Sequence, residues 1–246
     1  MGSSDFDKDS LAVSCLEAEL LFCCSPISSD SDRAAQLRAL LNEDLDWASL
    51  LRIAHRHGVV PLLFWHLSKT SPEGVPTTVL DRLRADFHAN NLRNLSLTRE
   101  LLKLLSMFEA QGISAIPYKG PALAAFTYGN LALRQFIDLD ILVRKHDVSR
   151  AKDLLVSAGY RPEDQMTHAQ EAALLQYKHE RLFRHVADGS MVELHWGIID
   201  RQFSFPLDPE HLWGRLDWVP LGSSTVTTLS PEDLHLILCV HGSVHL

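Results

Sequence analysis

No dense run of lysine or arginine occurs anywhere in the 246 residues, and the formal net charge is −8. A protein that grips nucleic acid regardless of sequence must neutralise phosphates with a basic face, so that class of function is excluded. Long apolar runs are lacking too: no stretch approaches the roughly 20 residues that a bilayer-spanning helix needs. The opening MGSSDFDKDS is polar and acidic, without the basic segment and apolar core of a secretory signal. Cysteine is scarce. Cys15, Cys23, Cys24 and Cys239 are scattered, and the adjacent Cys23-Cys24 lacks the spacing of a metal knuckle, so they read as reduced residues of a cytoplasmic protein. Missing as well are a Gly-x-Gly-x-x-Gly fingerprint, a Walker loop and a Gly-x-Ser-x-Gly elbow, which sets aside the chemistries built on them.

What is present is ordinary globular material, 46% hydrophobic and 22% charged, enough for one large or two modest domains. From about residue 10 to 110 the pattern is helix after helix. Ser10 is placed to cap the first, which stops at Ser25-Pro26, and the Ser/Asp cluster at 28–32 caps the next. Asp46 can cap a helix in which Trp47, Leu50, Leu51 and Ala54 recur at the 3.6-residue period. A short buried helix follows, then a long amphipathic pattern from Thr77 to Ala110. His55, His57 and His66 lie in this part and read as packing or surface residues rather than metal ligands.

The stretch from Ile113 to Arg144 is organised differently. It predicts a short strand ending at Tyr118, a turn at Lys119-Gly120, a helix with Pro121 in its first turn and Gly129 as a left-handed stop, and a second strand with Asp138 and Asp140. A helix N-terminus opening at Gly120 presents free N–H groups to phosphate. Alternation along the second strand puts Asp138 and Asp140 on one face and Leu139 and Ile141 on the other.

Asp147 is placed to cap a helix that ends before Gly159, and a further helix is expected at about 168–177. Two alternating runs joined at Asp188-Gly189 then predict a hairpin. In its second run Met191, Glu193 and His195 share a face, which offers a third carboxylate. Beyond it, a strand at Thr225–Leu229 and a helix opened by Ser230-Pro231-Glu232-Asp233 are expected. His241 and His245 have the spacing of zinc-binding helices, but no glutamate stands between them to act as base. The chain ends within a helical pattern, at Leu246, and reads as truncated there.

Asp-x-Asp on one strand, an acid on a neighbouring strand and a glycine-opened helix are what nucleotidyl transfer needs: two hard ions held by carboxylates, and a seat for phosphate. Lys119-Gly120, Arg134, the run Asp138 to Val143 and the run Val192 to Trp196 resemble the uncharacterised nucleotidyltransferase family of the DNA polymerase β-type superfamily. That resemblance implies an α+β fold, a polymerase β-like core of small mixed sheet and helices. It also implies three parts: a helical module over 1–110, a catalytic core over 111–200 and a C-terminal helical segment over 201–246. It implies Mg2+-dependent transfer of a nucleoside monophosphate from an NTP to an unidentified acceptor, with release of pyrophosphate.

Asp138, Asp140 and Glu193 take the catalytic and metal positions, with two Mg2+ ions and Mn2+ as an expected substitute. Lys119, Gly120 and Arg134 take the nucleotide side. The serine that follows the glycine in the superfamily is replaced by Pro121, and Lys119 either supplies a compensating charge or merely solvates a turn. Arg134 has two readings, a triphosphate ligand or a brace for Asp138, and His195 reads as a satisfied core histidine. The negative charge favours a small-molecule or protein acceptor over nucleic acid, with no membrane partner. The alternative, from another class, is a catalytically inactive nucleotide-binding or protein-interaction module on the same fold.

Overall fold

The computed structural model describes residues 15–25, 31–164, 166–198 and 209–244. Ser10, residues 28–30 of the polar cluster, and His245 therefore lie outside the described residues. The chain divides into two compact units, with the boundary between Asn90 and Asn91; Leu133–Gln135 return to the first.

The first unit is helical: α1 (Cys15–Cys23), α2 (Ser31–Leu41), α3 (Trp47–Arg56), α4 (Val60–Thr70) and the opening of α5 (Thr77–Ala110). Asp46 caps α3 as its position predicts, accepting hydrogen bonds from the Ala48 and Ser49 amides at 3.0 Å. The stripe this produces buries Leu50 and Ala54 against Leu20, Leu63, Leu67 and Leu83. Glu17 is buried among them, and its Oε1 accepts the Asp46 amide at 2.8 Å.

The second unit takes the rest of α5, then β1 (Ala115–Pro117), α6 (Gly120–Tyr128), β2 (Asp138–Val143), α7 (Val148–Ser157), β3 (Tyr160–Pro162), α8 (His168–Tyr177), β4 (Glu180–His185) and β5 (Met191–His195). The C-terminal part adds α9 (Pro209–Trp213), β6 (Leu216–Leu221), β7 (Ser224–Leu229) and α10 (Pro231–Val244). The five central strands form one sheet in the order β1-β2-β5-β4-β3, while β6 and β7 make a separate two-stranded ribbon. Only β2 and β5 run parallel; the other pairs are antiparallel, so the sheet is mixed and the class is α+β.

Strand alternation sorts the faces of β2. Leu139 and Ile141 enter a core with Val192 and Leu194 of β5, Leu101 and Phe108 of α5 and Leu155 of α7. All of these are fully buried. Truncating such a leucine to alanine costs about 2–5 kcal/mol. Residues 138, 140 and 142 face the other way, where Leu142 and Tyr118 pack with Leu229, Leu234 and Ile237 from β7 and α10. Thr228 Oγ1 ties this layer to the sheet by donating to the Pro117 carbonyl at 2.7 Å.

Three local findings differ from the expectations. Asp147 stands at the cap position of α7 without capping it; its carboxylate accepts from Arg150 Nη1 at 2.8 Å instead. The hairpin at Asp188-Gly189 forms with a connection longer than two residues, β4 ending at His185 and β5 starting at Met191. Asp188 Oδ1 organises that turn by accepting from the Ser190 amide and hydroxyl at 3.0 and 2.8 Å. Strand β6 was not anticipated, because Asp217 and Pro220 are poor strand residues whose cost is met by pairing with β7 along its full length. Among the described residues no helix is long and apolar enough to cross a membrane.

Candidate active site

Register builds the site. Because β2 and β5 pair in parallel, Asp140 lies directly beside Glu193, and Asp138 lies beside Met191. Two positions further along β5, on the same face, stands His195, paired across the hairpin with Glu180 of β4. Among the described residues, one group of possible metal ligands converges: single donor atoms of Asp140, Glu193 and His195 lie within 4.8 Å of one another. Asp138 is outside that group and half-buried, two residues upstream on the same face.

Asp140 is almost wholly buried, and Lys119 Nζ reaches it at 3.0 Å. The Lys119 ammonium is itself only 12% exposed, so this is an internal ion pair, and the lysine is not a solvated turn residue. His195 is 2% exposed and packs edge-to-face on Tyr118, ring centroids 5.3 Å apart. Its Nε2 lies 3.4 Å from Asp140 Oδ1 and 3.4 Å from Glu193 Oε2, and its Nδ1 lies 3.3 Å from Glu180 Oε2. None of these approaches has the alignment of a hydrogen bond, and both ring nitrogens are buried without a hydrogen-bond partner. His195, expected as a satisfied core histidine, instead sits among carboxylates without an aligned hydrogen bond.

The electrostatics follow from this crowding. Burial would raise the Asp140 pKa, but His195 and Lys119 outweigh it and hold the carboxyl below the usual range. His195 does the same for Glu193, with burial opposing. Burial works to lower the His195 pKa, and Asp140 and Glu193 reverse that, leaving it raised. Tyr118 is pushed well up by burial and by the carboxylates around it, and its phenol stays neutral.

Beside the carboxylates, α6 opens at Gly120 with Lys119 in the cap position and Pro121 in the first turn, and it closes on Gly129 in the left-handed conformation. Gly120 has φ +51°, and a Cβ there would meet the Asp138 carbonyl oxygen at 3.1 Å. Glycine is required twice over, by the sign of φ and by the closeness of β2. Lys119, Gly120, Asp138, Asp140 and Glu193 are thus gathered in the second unit. Arg134 belongs to the first, where its carbonyl accepts from Asn90 Nδ2 at 3.2 Å. Glu180 escaped the sequence reading. Its place opposite His195 follows from the longer connection between β4 and β5, since a two-residue turn at Asp188-Gly189 would have set Glu180 opposite Gly197.

A cavity of about 400 Å3 borders the carboxylates, lined by Glu163, Asp164, Lys178, Glu180, Arg181 and Glu193. Arg181 is fixed in it by Asp164 at 2.8 Å and Glu171 at 2.9 Å.

The mixed sheet thus sets Asp140 and Glu193 side by side, next to the glycine-opened helix α6. The chain belongs to the family described as uncharacterised nucleotidyltransferase, whose model matches residues 43–246. No curated protein matches it. Among solved structures it is similar to a lincosamide antibiotic adenylyltransferase in its lincomycin-bound form, at 14% identity over 56% of this chain and 83% of that one, with a TM-score of 0.42. It is also similar to a putative nucleotidyltransferase from Thermotoga maritima, at 15% identity over 61% of this chain and 87% of that one, with a TM-score of 0.45.

Proposed function

We propose that the protein transfers a nucleoside monophosphate from an NTP to an acceptor, releasing pyrophosphate, with divalent metal as cofactor. The observation that carries this reading is the side-by-side placement of Asp140 and Glu193 on parallel strands, in a chain of this family. The donors fit a cation: one atom each of the buried Asp140 and His195 and the half-buried Glu193 converge within 4.8 Å of one another. Asp138, Asp140 and Glu193 would hold Mg2+ or Mn2+, two ions in the full reading, which when bound would activate the acceptor oxygen and neutralise charge on the leaving pyrophosphate.

The chain's own residues supply the rest. The N-terminus of α6 at Gly120 binds phosphate through its amides. Lys119, one residue earlier, lies within reach of both Asp140 and that helix end. In the transfer, the acceptor oxygen forms a bond to the α-phosphorus, the bond from that phosphorus to the β-phosphate oxygen breaks, and the hydroxyl proton passes to a site carboxylate. The cavity beside Glu193 receives the acceptor, a small molecule or a protein side chain.

The test is to incubate the full chain with each α-labelled NTP, Mg2+ and a cell extract, and to look for a labelled acceptor. Asp138→Asn and Asp140→Asn should each reduce labelling to background while binding of the fluorescent dye used in thermal melts still reports a cooperative fold. Full activity in either variant refutes the two-metal assignment. A second reading, an inactive nucleotide-binding or interaction module, is favoured by one observation: the Lys119 ammonium already neutralises Asp140. Under that reading NTP binds equally well with and without metal, and no acceptor is labelled.

A further inference from the structure

We infer that His195 is a metal ligand, so that the ion nearest Glu193 is held by Asp140, Glu193 and the His195 Nε2 together, with Glu180 orienting the ring from behind. The inference rests on the metal-dependent reading above and deepens it, because it changes which ion the site favours.

Three observations carry it. The first is the pair of unsatisfied nitrogens on a histidine that is 2% exposed. A buried imidazole that meets carboxylates without hydrogen-bond alignment is only partly compensated for its lost solvation, unless something else completes it. The second is spacing. Ligands bonded to one ion at about 2.0–2.2 Å lie roughly 2.8–3.6 Å apart along the edges of a tetrahedron or octahedron. Nε2 lies 3.4 Å from both carboxylates, within that interval, although the approach lacks hydrogen-bond alignment. The third is the far side of the ring, where Nδ1 faces Glu180 Oε2 at 3.3 Å. A metal-bound histidine characteristically gives its other N–H to a carboxylate, which fixes the tautomer and strengthens the ligating nitrogen.

The backbone enforces the arrangement. Glu193 and His195 are two apart on β5, Glu180 is the cross-strand partner of His195, and Asp140 is the partner of Glu193, so all four side chains are set by one sheet register. The Tyr118 ring closes the remaining side. An imidazole in the donor set favours ions that accept nitrogen, such as Mn2+ or Co2+, over Mg2+, which prefers oxygen alone. The site then becomes selective among divalent ions through a residue that lies outside the acidic triad.

The experiment uses the full chain with Mn2+ alone and reads electron spin echo modulation, which detects nitrogen bonded to the ion without turnover. A 14N signal should be present, should change on selective 15N labelling of histidine, and should vanish in His195→Asn. That variant should also bind Mn2+ at least about tenfold more weakly, with Mg2+ affinity changed less. Glu180→Gln, at a half-exposed position that does not threaten the fold, should keep the signal and weaken Mn2+ several-fold, toward the range seen when such outer partners are removed. Mn2+ bound with no nitrogen signal, or a signal that persists in His195→Asn, overturns the inference and leaves the metal-dependent function standing. No Mn2+ binding at all overturns both.

Discussion

Lys119 Nζ lies 3.0 Å from Asp140 Oδ1, and both side chains are largely withdrawn from solvent. A cation of the protein's own thus occupies the position beside the carboxylate where charge is most needed. The pair gives one lysine two uses: it neutralises Asp140, and it stands at the cap of α6, the helix end proposed above to bind phosphate.

That dual role predicts a specific behaviour of Lys119→Met. Methionine keeps the aliphatic stem and deletes the charge. It leaves a buried carboxylate short of a partner, which should cost about 1–3 kcal/mol of stability. For a chain of this size the melting temperature falls by several degrees. Mn2+ at saturating concentration should restore most of the loss, because the ion replaces the missing charge. Thermal melts with and without metal decide this, and a variant as stable as the parent in chelator would mean that the pair contributes nothing.

Gly120 and Gly129 open and close the same helix with positive φ, yet they should respond differently to alanine. A Cβ at Gly129 meets nothing within 4 Å, whereas at Gly120 it meets the Asp138 carbonyl at 3.1 Å. Each pays the strain of φ > 0, of order 1–3 kcal/mol. Only Gly120→Ala also displaces β2 at Asp138, so it alone should weaken NTP binding in calorimetry. Equal losses of NTP affinity in both variants would remove Gly120 from the phosphate site.

Glu171 supplies a pH prediction away from the ligands. Hydrogen bonds from Arg181 at 2.9 Å and Lys152 at 3.0 Å hold its carboxyl below the usual range. The folded pKa is thus lower than the unfolded one. The stability this contributes is complete above the unfolded value and disappears as pH falls through the folded value. In urea unfolding Glu171→Gln should be less stable than the parent at about pH 7, with the gap shrinking as pH falls below the unfolded glutamate value of about 4.3 and closing once the lowered folded pKa is passed. A constant gap across that interval would show that the group acts by packing rather than by charge.

Much of this was legible locally. The Asp46 cap, the Gly129 stop, the Asp188-Gly189 hairpin and the alternation of Asp138 to Ile141 each depend on a few neighbouring residues, and local physics decided them. What could not be read were relations between distant segments. That Lys119 turns to Asp140 depends on how β1 lies against β2. That His195 meets Asp140, Glu193 and Glu180 without hydrogen-bond alignment depends on how β2, β4 and β5 pack together, which no spacing reveals. Asp147 failed as a cap because Arg150, one turn on, offered a better partner than the helix amides did.

The pairing of β2 with β5 has a kinetic consequence. Asp140 and Glu193 become neighbours only when strands separated by α7, β3, α8 and β4 have been brought together. Contacts of such long sequence separation form late, after the loop-closure entropy has been met. Hairpin β4–β5 can zip locally around Asp188-Gly189 and then dock on β2 as a unit. The two carboxylates therefore stay apart until β5 docks on β2. The convergence of Asp140 and Glu193 thus reports the joining of β2 to β5.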